Sequence, residues 1–261
     1  MNGEWIYGRQ VVRLSLAANA RRRPSELAGT AAALASLGLG ERPGGLTPRV
    51  VDARELERLT GSRDHQGVAV MVPAYPYAAV ADLLTADLVV ALDEVSDPRN
   101  LGAVARTALA CGAGGLVIPR HRSAAITPAA VKASAGATEH LAVAQVTNLT
   151  ACLRETKQAG FWVYGAAGES GRSYLNLDLR VKAVLVLGSE GRGLRRLVAE
   201  TCDELAALPM AGPVESLNVS VAAAVFLYEA RRQRTSAPPN GPSAPVAGPL
   251  TADGEAGVKP S

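Results

Sequence analysis

Apolar residues along the chain gather into short runs separated by amphipathic stretches. LVVALDEV (88–95), GGLVIP (114–119), FWVYGAA (161–167) and AVLVLGS (183–189) are apolar at consecutive positions. That pattern predicts strands covered on both faces, as in a parallel sheet. ELAALPM (204–210) reads as a shorter strand. Between the first two runs, Leu101, Val104, Ala105, Ala108 and Leu109 follow the i, i+3, i+4, i+7, i+8 spacing of a helix packed on a sheet. The larger part of the chain is therefore expected to be an α/β layer with crossover connections.

The N-terminal part has the same ingredients on a smaller scale. GRQVVRLSLAA (8–18) has helical spacing, PRVVDARELERLTG (48–61) reads as a short strand and a helix ended by Gly61, and GVAVMV (67–72) reads as a strand stopped by Pro73. Residues 1–75 are expected to form a small α/β unit, and 76–86 a linker stiffened by Pro76. Residues 87–234 would form the larger domain. The Pro, Gly, Ala and Ser of 235–261 offer almost nothing to bury and predict a disordered tail.

Composition narrows the function classes. Of 261 residues, 48% are hydrophobic and 4% aromatic, so aliphatic side chains and alanine must fill the core. The net charge of +3 permits a polyanionic partner without requiring one. Most of the excess lies in residues 1–75, which hold the run Arg21-Arg22-Arg23. That run reads either as a solvated helix end or as a phosphate-contacting patch. Cys111, Cys152 and Cys202 form no CxxC pair, which argues against a zinc knuckle or a disulfide framework and for idle thiols in a reducing compartment. There is no signal-like start and no run of about 18 apolar residues, so a cytoplasmic protein without membrane spans is expected.

Three strand–loop–helix junctions carry candidate chemistry. In the first, DEVSDPRNLGAVARTA (93–108), Asp97-Pro98 makes a turn and Asn100 reads as the helix N-cap. Arg106 lies off the apolar stripe, four residues after Gly102, whose missing side chain would let another group approach. The second, LGSEGRGL (187–194), has glycines spaced GxxGxG, unlike the GxGxxG of a dinucleotide site. Its Gly188 suggests a backbone wrapped tightly around something flat. Its Glu190 is either a surface carboxylate or a partner for Arg106. The third, LPMAGPVESLNVSVAAAVFLYEA (208–230), starts an apolar helix near Ser216 or Leu217 with unusually polar residues, Ser216 and Asn218 among them. Such junctions sit at the carboxyl ends of strands, where open α/β sheets bind ligands.

In order and spacing, NLGAVARTA, LGSEGRGL and LPMAGPVESLNVSVAAAVFLYE resemble the three signature motifs of SpoU-type 2'-O-ribose RNA methyltransferases of the SPOUT superfamily. IYGRQVV and HQGVAV resemble the extra domain of its TrmH/RlmB-like subfamily. The resemblance covers about Trp5 to Arg234, apart from the Ala/Gly-rich stretch at 25–47. It implies a C-terminal trefoil-knot domain with a parallel sheet, preceded by a small ribosomal-protein-like RNA-binding domain. It implies S-adenosylmethionine as cofactor with no metal, held through Gly188, Leu208 and Leu217 near the GAAGE loop (165–169). It further implies a homodimer through the knotted domain and ribosomal RNA of the large subunit as substrate, with guanosine as the subfamily's usual target.

By motif position, Arg106 takes the catalytic role, with Asn100, Glu190, Ser216 and Asn218 completing the pocket. An arginine is a poor base because its guanidinium keeps its proton. Arg106 would either pass a proton with help from a substrate phosphate or orient the ribose and steady developing charge. Arg21–Arg23, Arg120 and Arg122 are candidates for RNA contact. The alternatives are a relative that methylates transfer RNA, one that confers antibiotic resistance through ribosomal RNA, and an RNA-binding protein that has lost catalysis.

Overall fold

The computed structural model describes residues 3–39, 43–213 and 216–235. In the N-terminal part, β1 (Gly3–Tyr7) leads to α1 (Arg9–Ser15), β2 (Glu26–Gly29), α2 (Ala31–Leu37), β3 (Arg49–Val50), α3 (Ala53–Thr60) and β4 (Val68–Pro73). The four strands form one sheet in the order β1-β4-β2-β3, with β4 antiparallel to both of its neighbours. Thr30 and Asp52 cap α2 and α3, and Gly38 and Gly61 end them in the left-handed conformation that glycine adopts without strain.

A short helix, α4 (Val80–Leu83), leads into β5 (Leu88–Asp93), α5 (Pro98–Ala110), β6 (Gly115–Pro119), α6 (Pro128–Ala133), β7 (Ala142–Val146) and α7 (Leu149–Gln158). The chain continues through β8 (Trp162–Ala166), β9 (Ala183–Gly188), α8 (Arg196–Thr201), β10 (Glu204–Ala206) and α9 (Val219–Thr235). The second sheet is parallel throughout, in the order β10-β8-β9-β5-β6-β7. β7 (AVAQV) is a sixth strand beyond the five read from the sequence.

Alternation along the central strands builds two cores. Leu88, Val90 and Leu92 of β5 and Leu185 and Leu187 of β9 face one layer, which holds α5, α6 and α9. Val89 and Ala91, with Val184 and Val186, face the other, which holds α7 and α8. This is the period-2 geometry of a strand covered on both sides. Burial pushes the Cys152 and Cys202 thiols up to about 11 and about 12, leaving little thiolate near neutral pH.

The first of these layers continues into the N-terminal unit, where Ile6, Val11, Val12 and Val70 join it. A buried polar clamp pins this junction. Arg22 is 1% exposed. It donates to both carboxylate oxygens of buried Glu139, at 2.9 and 2.6 Å, to Glu4, and to the Pro73 carbonyl at 3.1 Å. Burial acts to lower its pKa, but the two carboxylates outweigh that and raise it. The Arg21-Arg22-Arg23 run is thus not a uniform solvent-facing patch: its middle residue ties the small sheet to the segment after α6.

Residues 76–86, expected as a linker, are mostly exposed, with contacts that tie them to the larger domain. Buried Tyr75 gives its hydroxyl to the carbonyls of Thr138 and Leu141, Ala78 N–H donates to Val143 O, and Leu83 of α4 is buried. Leu83 is the one fully buried side chain of this segment, and it gains by entering the core. Thr235 closes α9, and the rest of the expected tail lies outside the described residues.

Candidate active site

Strands β5 and β9 lie side by side at the centre of the sheet, yet the helices that follow them go to opposite faces: α5 to one, α8 to the other. A crevice opens at such a switch point, at the carboxyl ends of the strands. The first two junctions flank it. The third, after edge strand β10, leads the chain back to α9, which packs on α5.

The first junction is capped by Asp97, not Asn100. Asp97 Oδ1 accepts from Arg99 N–H at 2.8 Å, and Pro98 holds the first helical position. Asn100 is therefore the third residue of α5, with its side chain turned to other partners. Gly102 serves packing. A Cβ there would lie 2.5 Å from Ala130 O and 2.6 Å from the Ala133 Cβ, so its absence lets α6 press against α5. That corrects the expectation of an open approach to Arg106.

At the second junction, Gly188 has no room for a side chain. A Cβ would fall inside the backbone of Gly193, because the loop turns back there and Gly193 N–H donates to Ser189 O at 2.9 Å. Gly191 and Gly193 take positive φ in this turn. A buried carboxylate that the sequence reading passed over anchors the loop. Asp93, fully buried at the end of β5, accepts from Arg195 N–H at 2.8 Å and from Arg195 Nε at 2.7 Å. The hydrogen bonds to Asp93 raise the Arg195 pKa. An acidic pair, Asp93-Glu94, ending an apolar run was the available signal, since a buried carboxylate needs a partner.

At the third junction, Asn218 immediately precedes α9 and caps it. Its Oδ1 accepts from Ser220 N–H at 2.9 Å and from Ser220 Oγ at 2.6 Å. The helix thus begins at Val219, later than the expected start near Ser216 or Leu217. Capping fixes which end of the Asn218 amide points outward. Its Nδ2 donates to Asn100 Oδ1 at 3.0 Å and also to Glu190 Oε1. Asn100 Nδ2 donates to the same Glu190 oxygen at 2.8 Å.

Of the expected site residues, then, Asn100, Glu190 and Asn218 meet in one hydrogen-bonded network. Glu190 pairs with the two amides rather than with Arg106. Arg106 is exposed on α5, less than two turns beyond Asn100. Ser216 is exposed, and Glu215 lies outside the described residues. Leu208 packs partly buried against the main core, while Met210 and Leu217 are 39% and 38% exposed on the third-motif segment. Half-exposed apolar side chains beside a loop of accessible backbone suit a ligand with a flat apolar part and hydrogen-bonding edges. Among the described residues, no group of three or more His, Cys, Asp or Glu is placed to hold a metal ion.

An open parallel sheet with a crevice built from three strand–loop–helix junctions defines a ligand-binding α/β domain. The sequence profile of the SpoU rRNA Methylase family matches residues 87–228, and the chain belongs to that family. It is 45% identical over 197 residues to YacO of Bacillus subtilis, assigned to TrmH-family tRNA/rRNA methyltransferases; the match spans 73% of this chain and 79% of that protein. It spans 61% of the length of a tRNA/rRNA methyltransferase of Mycobacterium ulcerans and 50% of one of Synechocystis. Among solved structures, it is similar to an AdoMet-bound rRNA methyltransferase of Sinorhizobium meliloti, at 26% identity and a TM-score of 0.72, over 88% of this chain and 87% of that one. It also resembles a TrmH/SpoU tRNA modifying enzyme of A. aeolicus, at 31% identity and a TM-score of 0.53, over 60% of this chain and 79% of that one.

Proposed function

We propose that the chain is an S-adenosylmethionine-dependent 2'-O-ribose methyltransferase acting on ribosomal RNA. The observation that carries this reading is the network in which Asn100, Glu190 and Asn218, from three separate junctions, fix one another. A site assembled from such distant residues is preorganised, and holding reactants in line can supply roughly 7–11 kcal/mol of the barrier.

S-adenosylmethionine would supply an activated methyl group on a sulfonium that leaves as a neutral thioether. The second-motif loop after Gly188, with Leu208 and Leu217, would hold it. Glu190 keeps that loop tied to α5 and α9. Arg106, exposed and on the same helix as Asn100, works as a charged donor: it orients the ribose or its phosphate and steadies charge developing on the 2'-oxygen. A guanidinium is suited to this because it keeps its proton and presents several donors in a fixed fork. Ser216, exposed two residues before Asn218, would complete the same pocket.

Ribosomal rather than transfer RNA is favoured by the extent of the similarities. The rRNA enzyme aligns over 88% of the chain, which must include much of the N-terminal unit, whereas the tRNA enzyme aligns over 60%. The small sheet would then serve as an RNA-binding module. A trefoil knot in the C-terminal domain and cytoplasmic residence belong to the same proposal.

A homodimer is supported by α9, where Val221 (49% exposed), half-buried Val225 and Tyr228 (58% exposed) form an i, i+4, i+7 apolar stripe facing outward. The test is transfer of a labelled methyl group to ribosomal RNA, followed by nuclease digestion. A 2'-O-methylnucleoside is expected. A methylated base would refute the ribose assignment, and methylation of transfer RNA alone would refute the substrate.

A further inference from the structure

On the sheet face away from α5 and α9, a cavity of about 630 Å³ opens between the loops after β6 and β7 and the start of α8. Its volume falls within the roughly 300–1,000 Å³ range of small-ligand pockets. The ionisable side chains lining it are four arginines, Arg122, Arg154, Arg195 and Arg196, and one histidine, His121, with no carboxylate among the lining residues. Leu197, 54% exposed, adds an apolar surface at the same wall.

Neighbouring carboxylates offset part of this charge. Glu94 pairs with Arg122 at 2.8 Å and with Arg195 at 3.3 Å, Asp93 holds Arg195, and Glu200 pairs with Arg196 at 2.7 Å. The salt bridges of the described residues do not engage Arg154 or His121. Two of the paired residues, Glu94 and Arg122, both have φ of 58°, a left-handed conformation unusual for such side chains. Backbone strain of this kind is retained where the surrounding structure holds side chains for a purpose. Here it sets Arg122 at the cavity from the end of β6. Arg195 joins the cavity to the end of β5, since its backbone N–H and guanidinium both donate to Asp93.

We propose that this cavity seats a backbone phosphate of the RNA substrate, with Arg154 as its main unpaired cation. This rests on the RNA methyltransferase reading, and it assigns the chain a second RNA contact distinct from the methyl-transfer site. A phosphate seated there would sit against the base of the second-motif loop and fix the register of the strand entering the crevice. Phosphate contacts of this type position a nucleic acid without reading its sequence.

The test uses the full chain and its Arg154→Ala, Arg154→Glu and Arg196→Ala variants. Ribosomal RNA binding is measured across a salt series, alongside S-adenosylmethionine affinity and the KM and kcat of methyl transfer. Arg154→Glu is expected to weaken RNA binding by about tenfold or more and to reduce the salt slope by about 0.7–0.9, the loss of one phosphate contact. S-adenosylmethionine affinity and kcat at saturating RNA should stay within about twofold of the wild type. RNA affinity and salt slope unchanged in all three variants would overturn the proposal. So would stabilisation of the wild type by inorganic phosphate that Arg154→Ala abolishes without any change in RNA binding, which would assign the cavity to a small phosphate ligand. A wild-type chain that binds RNA but transfers no methyl group refutes the methyltransferase reading alone, because the binding series still decides the cavity.

Discussion

Asn218 and Asn100, 118 positions apart, share a hydrogen bond of 3.0 Å, and both donate to the same oxygen of Glu190. Asn218 has two duties: its carbonyl oxygen caps α9, and its amino group closes the site. Asn218→Asp separates them. Aspartate caps as well as asparagine, so the melting temperature should stay within a few degrees. The new carboxylate would face Glu190 without a donor, and methyl transfer should fall by about 10²-fold, the scale of misplacing an aligned group. Thermal melting and initial rates check this together. Wild-type rates would show that the network does not shape the reaction.

Gly188→Ala tests the second-motif loop. The added methyl would overlap the Gly193 backbone, which cannot swing aside as a side chain could. A loss of about 1–3 kcal/mol in stability is expected, with S-adenosylmethionine binding weakened by tenfold or more, equivalent to about 1.4 kcal/mol. Gly171→Ala, where a Cβ meets nothing within 4 Å, is the control and should be neutral. Calorimetric titration of both variants reads the difference.

How much of this was legible beforehand depends on the kind of signal. The helix α5 and the strands β5, β6, β8 and β9 were readable because their apolar positions repeat strongly. Strand β7 was not: AVAQV is short, small and carries Gln145 at a half-buried position. Gly102 and Asn100 were singled out correctly as unusual but given the wrong local reasons. The demand on Gly102 comes from α6, some 30 residues on, and the cap was taken by Asp97, whose Asp-Pro pair was read only as a turn. Arg22 shows the same limit. A run of three arginines looks solvent-facing until the fold brings Glu139 and Glu4 to its middle member. Asp93 was missed because the partner that makes its burial tolerable, Arg195, is 102 positions away. Local chemistry was visible in the sequence; the pairings that assign it a purpose were tertiary.

Arg22 makes a clean stability test. Arg22→Met strips buried Glu139 of its bidentate partner, and breaking a buried pair in this way destabilises by about 3–5 kcal/mol. At roughly 2–4 °C per kcal/mol for a chain of this size, the melting temperature should drop by about 6–20 °C. The salt dependence of RNA binding by the variant that remains folded should be unchanged, since this guanidinium is not at the surface. A flattened salt slope with unaltered melting would return Arg22 to the RNA-contacting patch.

Tyr228→Glu tests the stripe on α9. Placing a charge on this exposed aromatic should convert a dimer to a monomer without unfolding it, because the side chain is outside the core. Light scattering after size exclusion reads the mass. Methyl transfer should fall in proportion to the dimer lost. A wild-type chain that runs as a monomer at micromolar concentration and is fully active would remove the dimer from the account.

The most direct measurement is methyl transfer from S-adenosylmethionine to ribosomal RNA by the wild type and by Arg106→Ala, with cofactor affinity determined in parallel. The account predicts a 2'-O-methylnucleoside from the wild type, none above background from the variant, and cofactor affinity within a few-fold in both. Full turnover by Arg106→Ala, or a product methylated elsewhere than the ribose, would contradict it.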